Sequence, residues 1–217
     1  MMVKEGIGRV SRNARYVFPW ALSLVRRTDA LTERMPWIVY SARDRIASSL
    51  RASSRVFEYG SGGSTLWFAD RCFRVVSVEH NAAWCERIQR LLRDARSTNV
   101  DLRLVKPSAR YDGSIATRYV SDDPEWSGCS FEPYVSVIEE YPDDFFDLVL
   151  VDGRARADCL EPGWTKLRVG GLLVLDDSDR ERYQESMKRV PTNNREDHHG
   201  LVAFSRKFGC TTIWRKT

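Results

Sequence analysis

A few short stretches hold the side chains able to do chemistry. The run RVFEYGSGGSTLWFA, Arg55 to Ala69, sets Glu58 two residues ahead of Gly60, with Ser61, Gly62, Ser64 and Thr65 following. RVVSVEH ends in Glu79 and His80, and Trp84 stands four residues further on. Asp152 closes FFDLVLVD, Asp176 with Asp177 closes GGLLVLDD, and His198 and His199 form a pair near the end of the chain. Glycines let a backbone approach a ligand closely, and a carboxylate beside such a turn meets a cationic group. Clustered carboxylates serve as a general base or hold a divalent metal. A histidine titrates near neutrality and offers another base.

Spacing separates the readings of the glycine stretch. A phosphate loop needs G-x-x-x-x-G-K-[ST], and Gly60 is followed five residues later by Thr65 with no lysine nearby. A nucleophile elbow centred on Ser61 would agree with a later Asp and then His in chain order, but it requires a small residue where Tyr59 stands. A dinucleotide fingerprint G-x-G-x-x-G places its last glycine or alanine at Thr65, which weakens a nicotinamide reading without removing it. A seat for a cationic ligand uses Glu58, and Glu79 at the end of the next strand is placed to take ribose hydroxyls.

The elements that must position these residues follow from the apolar pattern. RVFEYG, RVVSVEH, VDLRLVK, FFDLVLVDG and GGLLVLDDSD read as strands, several of them near-continuous apolar runs. STLWFADR, AAWCERIQRLLRDA, EPYVSVIEEY and RADCLEPGWTKLRV read as the helices between them. That alternation indicates an α/β, doubly wound, mostly parallel sheet covered on both faces. The tail LVAFSRKFGCTTIWRK, with apolar runs around Phe208 and Gly209, suggests a C-terminal antiparallel hairpin, with the HH pair in a polar loop before it. Ahead of the first strand, residues 1–52 read as a helical extension, including a helix over about Pro36 to Leu50. Residues 53–217 form the main domain. Tyr111 to Gly128 is a polar excursion suited to a lid. Trp67, Trp84 and Trp164 sit first on helix faces of the core.

Taken together, EYGSGGS with Glu79 and the later strands resembles the class I S-adenosylmethionine-dependent methyltransferases, over residues 53–215. The resemblance implies a sheet of seven strands with the last antiparallel. It implies that Glu58, Gly60 and Gly62 line the amino acid part of the cofactor, with Ser61, Ser64 and Thr65 in the same loop. Glu79 would bind its ribose, and His80 or Trp84 would lie near its adenine. Asp152 would stand beside it.

Asp152, Asp176 and Asp177 end two strands joined by one helix, so they should converge at strand ends about 4.8 Å apart. Such an arrangement is similar to metal-dependent O-methyltransferases, which implies Mg2+ on these three acids and a small-molecule acceptor methylated at a hydroxyl oxygen. Arg154, Arg156 and Arg180 stand close in sequence and offer to neutralise the acids without metal, or to clamp an anionic acceptor. Asp152, Asp176 and His198 are the candidate catalytic residues. A nicotinamide-dependent oxidoreductase and a catalytically silent cofactor-binding partner remain alternatives.

The 217 residues, 42% hydrophobic and 29% charged, suit a globular protein with its own core. A net charge of +4 falls short of the clustered field of a dedicated nucleic-acid binder, so nucleic acid is not the expected partner. Five cysteines without a C-x-x-C pair suggest reduced thiols and a cytoplasmic protein. No apolar stretch reads as a signal peptide or a membrane span. The first 27 residues carry Lys4, Arg9, Arg12, Arg15, Arg26 and Arg27 against Glu5 alone. They read as a basic arm toward a membrane surface, nucleic acid or partner, or as a helix packed on the domain or on a second subunit in a homodimer.

Overall fold

Alternation along the strands decides what each face of the sheet carries. In β1 (Arg55–Tyr59), Phe57 and Tyr59 enter one apolar layer and Val56 the opposite one. β2 (Arg74–Glu79) divides in the same way, with Val76 and Val78 against Val75. β4 (Phe146–Val151) and β5 (Leu167–Asp176) repeat the division, so both faces are buried and the runs read as continuously apolar. β3 (Val100–Leu104) forms one edge. β6 (Arg195–Leu201) and β7 (Phe208–Arg215) complete a seven-stranded sheet of order β3-β2-β1-β4-β5-β7-β6. β7 pairs antiparallel with both β5 and β6, and the other strand pairings are parallel. The computed structural model describes residues 2–26, 28–109, 118–121, 123–191 and 193–217, residues 2–13 by their backbone alone.

One face is covered by α5 (Glu132–Ser136), α6 (Arg156–Lys166) and α7 (Gln184–Met187). The other is covered by α2 (Tyr40–Ala47) and α3 (Gly63–Ala69). α4 (Ala82–Asp94) packs beside β2 and β3 through Ile88 and Leu92, and Asn81 caps it by accepting from Trp84 N–H. α1 (Met2–Val25) lies against β6. Its Tyr16 ring stacks on Tyr40, Trp20 Nε1–H donates to Ser205 O, and Ser23 Oγ accepts from Phe204 N–H. Among the described residues no helix is long and apolar enough to cross a membrane.

Some boundaries differ from the sequence reading. The helix expected over Pro36 to Leu50 is confined to Tyr40–Ala47, and Leu167 to Val169 belong to β5. The closing hairpin starts at Arg195 and turns through 202–207, so His198 and His199 lie in β6 and not in a loop. The reason is that β6 is an edge strand whose outer residues meet solvent, which removes the apolar alternation that marks a strand. Cys72, Cys85, Cys159 and Cys210 are buried thiols, whereas Cys129 is half-buried. Of the expected lid, 111–117 and 122 lie outside the described residues. Its second half is tied down: Tyr119 N–H donates to Asp158 Oδ2 (2.7 Å), and Arg154 pairs with Asp123 (2.8 Å).

Candidate active site

The ends of β1, β2 and β4 open into a cleft of about 750 Å³. Its floor is the turn after β1, where Gly60 takes φ +93°, a left-handed conformation that favours glycine. A Cβ there would fall 2.7 Å from the Cα of Gly153, which follows Asp152 at the end of β4. Gly60, Ser61, Gly62 and Ser64 line the cleft from one strand end, Glu79, His80 and Trp84 from the next, and Asp152 from the third. These sequence-selected residues are brought together.

Glu58 is not among them. Alternation that points Phe57 and Tyr59 to one face points Glu58 to the other, beneath α3, where it is fully buried. Register sets it beside Ser77, whose hydroxyl donates to Glu58 Oε2 (2.8 Å), and Thr65 Oγ1 donates to the same oxygen (2.6 Å). Thr65 Oγ1 in turn accepts Gly62 N–H (2.9 Å). Glu58 therefore braces the glycine turn through Thr65 and does not line the cleft, contrary to the sequence expectation. Burial pushes its carboxyl up to about 7, against the hydroxyls and with the negative charge of Asp152 adding to the rise.

Glu79 ends β2 with its carboxylate fully engaged. Oε1 accepts from His80 N–H and Asn81 N–H (both 2.8 Å), and Oε2 accepts from Ser61 N–H (3.2 Å) and Ser61 Oγ (2.8 Å). Burial pushes this carboxyl upward, but the His80 ring, Asn81 N–H and Ser61 outweigh it and hold it below its ordinary value. A carboxylate has about four lone-pair sites, so an incoming diol competes with Ser61 Oγ. The His80 ring sits 2.9 Å from Glu79 Oε1 and packs against Trp126, Phe131 and Tyr134. Trp84 Nε1–H donates to Ser61 O (2.8 Å).

The second cluster forms around an arginine. Arg156 Nε donates to Gly153 O (3.0 Å), Nη1 to Asp176 O (2.7 Å), and Nη2 to Asp152 O (3.0 Å). The same guanidinium pairs with the carboxylates of Asp152 (3.0 Å) and Asp177 (3.3 Å) and lies 3.9 Å from that of Asp176. Arg180 also pairs with Asp177, and Thr211 Oγ1 donates to Asp176 Oδ1 (2.7 Å). The three acids converge as expected, but on Arg156. A fixed cation stands where Mg2+ would have to sit, and among the described residues no three or more His, Cys, Asp or Glu are grouped to hold a metal ion. The metal expectation is corrected on that ground, and Arg156, with its donors consumed, is not free to clamp a substrate. Asp176 and Asp177 lie behind the cleft; Asp152 lines it, its side chain 25% exposed. Burial pushes the Asp152 carboxyl up to about 6, Arg156 pulling it down and Asp177 pushing it up.

His198 stands elsewhere. It lies in β6, and β7 stands between it and Asp176, two strand spacings or roughly 10 Å across the sheet. Its Nδ1 is 3.1 Å from Ser41 Oγ and its Nε2 3.5 Å from Glu196, and burial lowers its pKa. The sequence reading missed the wall opposite β4, which Thr28, Asp29, Ala30, Leu31 and Trp37 supply from the N-terminal segment. The one signal for it is Gly63, where a Cβ would collide with the carbonyl of Ala30 and lie 2.5 Å from that of Met35.

No family model and no curated protein matches this sequence. Solved structures do. A Streptococcus mutans protein in complex with SAH aligns at TM-score 0.56 and 11% identity, over 81% of this chain and 96% of that one. An rRNA methylase from Streptococcus thermophilus aligns at 0.56 and 13%, over 88% and 99%. The tRNA (m1A58) methyltransferase TrmI from Aquifex aeolicus aligns at 0.52 and 17%, over 84% and 71%. At such identities the likeness is one of fold.

Proposed function

We propose, for a chain that has the class I, Rossmann-like methyltransferase fold, that the cleft binds S-adenosylmethionine and that the protein transfers its methyl group to a hydroxyl oxygen of a small molecule. The observation that carries this reading is the convergence of the Gly60 turn, Glu79 and Asp152 at three adjacent strand ends around one cavity. The residues suit the ligand: Asp29, Glu79 and Asp152 give the walls carboxylates for a cation and a diol, and Trp84 and Trp126 give flat apolar surface. The SAH carried by the Streptococcus mutans protein adds to the reading.

The bound sulfonium supplies an already activated methyl group. The protein's task is then to orient the acceptor and take its proton. Asp152 is the base in this reading, since it lines the cleft and its raised pKa makes it a better proton acceptor than an ordinary aspartate. Arg156 holds the Asp152 side chain and the backbone around it in place. Glu79 receives the ribose once Ser61 Oγ turns aside. Residues 53–217 carry the cofactor, and residues 1–52 are the extension that supplies the opposite wall. His198 has no part in the transfer.

Titration calorimetry with S-adenosylhomocysteine (SAH) and with NADH tests the cofactor. Heat with SAH and none with NADH is the expected result, and the reverse would turn the reading to an oxidoreductase. Homocysteine release across a panel of sugars, phenolics, nucleotides, tRNA and rRNA tests the acceptor. Turnover on the RNAs alone would overturn the small-molecule part, and SAH binding without any turnover would indicate a silent partner.

A further inference from the structure

α1 has an apolar face that none of the described residues covers. Its inward side is fixed by Tyr16 (4% exposed), Trp20 and Ser23 against α2 and the β6–β7 turn. On the opposite side Val17, Phe18 and Val25 are 49%, 77% and 80% exposed, and Ala14 and Ala21 are exposed with them. At about 100° per residue these positions share one sector roughly 100° wide. Arg15, which also pairs with Asp44, and Arg26 lie along one flank of it, and the first 27 residues of the sequence carry Lys4, Arg9, Arg12, Arg15, Arg26 and Arg27 against Glu5 alone. Two copies pairing through this stripe would bring like charges together, whereas coiled-coil flanks carry opposite ones. An apolar stripe bordered by cations fits an anionic lipid headgroup surface, with the aliphatic side chains entering the acyl boundary and the cations meeting the headgroups.

We infer that α1 is an interfacial helix that docks the protein, lying flat, on anionic membrane surfaces. The docking does not depend on the activity proposed above. Thr28 to Leu31, which line the cleft, follow the helix within a few residues. Docking therefore sets the cleft close to the bilayer.

Flotation of the full chain with vesicles tests this, using phosphatidylcholine alone and phosphatidylcholine in which about a third of the lipid is phosphatidylglycerol. The protein should float with the anionic vesicles, stay behind with the neutral ones, and be released by high salt. The double variant Val17→Asp, Phe18→Asp should lower recovery at least about tenfold. Because both residues are exposed, its thermal midpoint and SAH affinity should match the parent's, which separates lost docking from lost folding. Equal recovery from both vesicles, or from neither, overturns the inference. So does a stable dimer in sedimentation equilibrium that the double variant dissociates, which would give the stripe to a second copy.

Discussion

The Cα of Gly153 lies 2.7 Å from where a Cβ on Gly60 would stand, so the turns after β1 and β4 touch backbone to backbone. This contact lets two strand ends share one cleft floor. Gly60 also has φ +93°, strained for any other residue. Gly60→Ala should therefore destabilise the protein by about 3 kcal/mol, lowering its thermal midpoint by roughly 6 to 12 °C. SAH affinity should fall with it. A midpoint within a degree or two of the parent's would show that the turns separate freely.

Glu58 should make stability fall as pH rises. Its folded carboxyl titrates at about 7 against 4.5 for the free group, so the native state holds an extra proton between those values. That contribution is fully present below pH 4.5 and is lost as pH rises through about 7, amounting to about 3 kcal/mol. Glu58→Gln cannot ionise. Urea unfolding at pH 5 and pH 8 should show a smaller loss in the variant than in the parent, and equal losses would mean that the buried carboxyl ionises without cost.

Arg156 compensates Asp152, Asp176 and Asp177 at once, so removing it leaves buried like charges. Arg156→Met should cost about 3 to 5 kcal/mol at pH 8. Adding Asp152→Asn should recover part of that, because the double variant buries less uncompensated charge. Lower pH should also shrink the deficit, since Asp152 titrates at about 6. A deficit unchanged by pH would assign the loss to packing.

If Asp152 is the base, the reaction needs it deprotonated. kcat/KM should rise with pH and level off above about 6. Asp152→Asn should lower turnover about 10²- to 10⁴-fold with a much smaller change in SAH affinity. His198→Ala should leave turnover alone. A pH profile unaltered by the Asp152 change would remove it from the chemistry.

Particular residues show where sequence was a sufficient guide. Gly60 and Glu79 were legible because a glycine turn and an acid at consecutive strand ends have few other uses, and the strands were legible because burial on both faces leaves apolar runs. Glu58 misled: its alternation with Phe57 and Tyr59 was visible, but which face carries α3 was not. Arg156 was undervalued because its partners come from two strand ends some twenty residues apart, and only the fold superposes them. The wall from Thr28 to Leu31 left no periodic trace, since a segment without regular structure is placed by whatever it packs against. His198 was misplaced because an edge strand with polar side chains reads like a loop.

The hydrogen bond from Trp84 Nε1 to Ser61 O joins an indole to the turn that, under the proposed function, rearranges when Glu79 exchanges Ser61 Oγ for a ribose. The protein thus carries its own optical reporter. Ligand arrival at the turn should change the emission of Trp84, readable without any label as the difference between the parent and Trp84→Phe. The rate of that signal would time the hydroxyl's departure from Glu79.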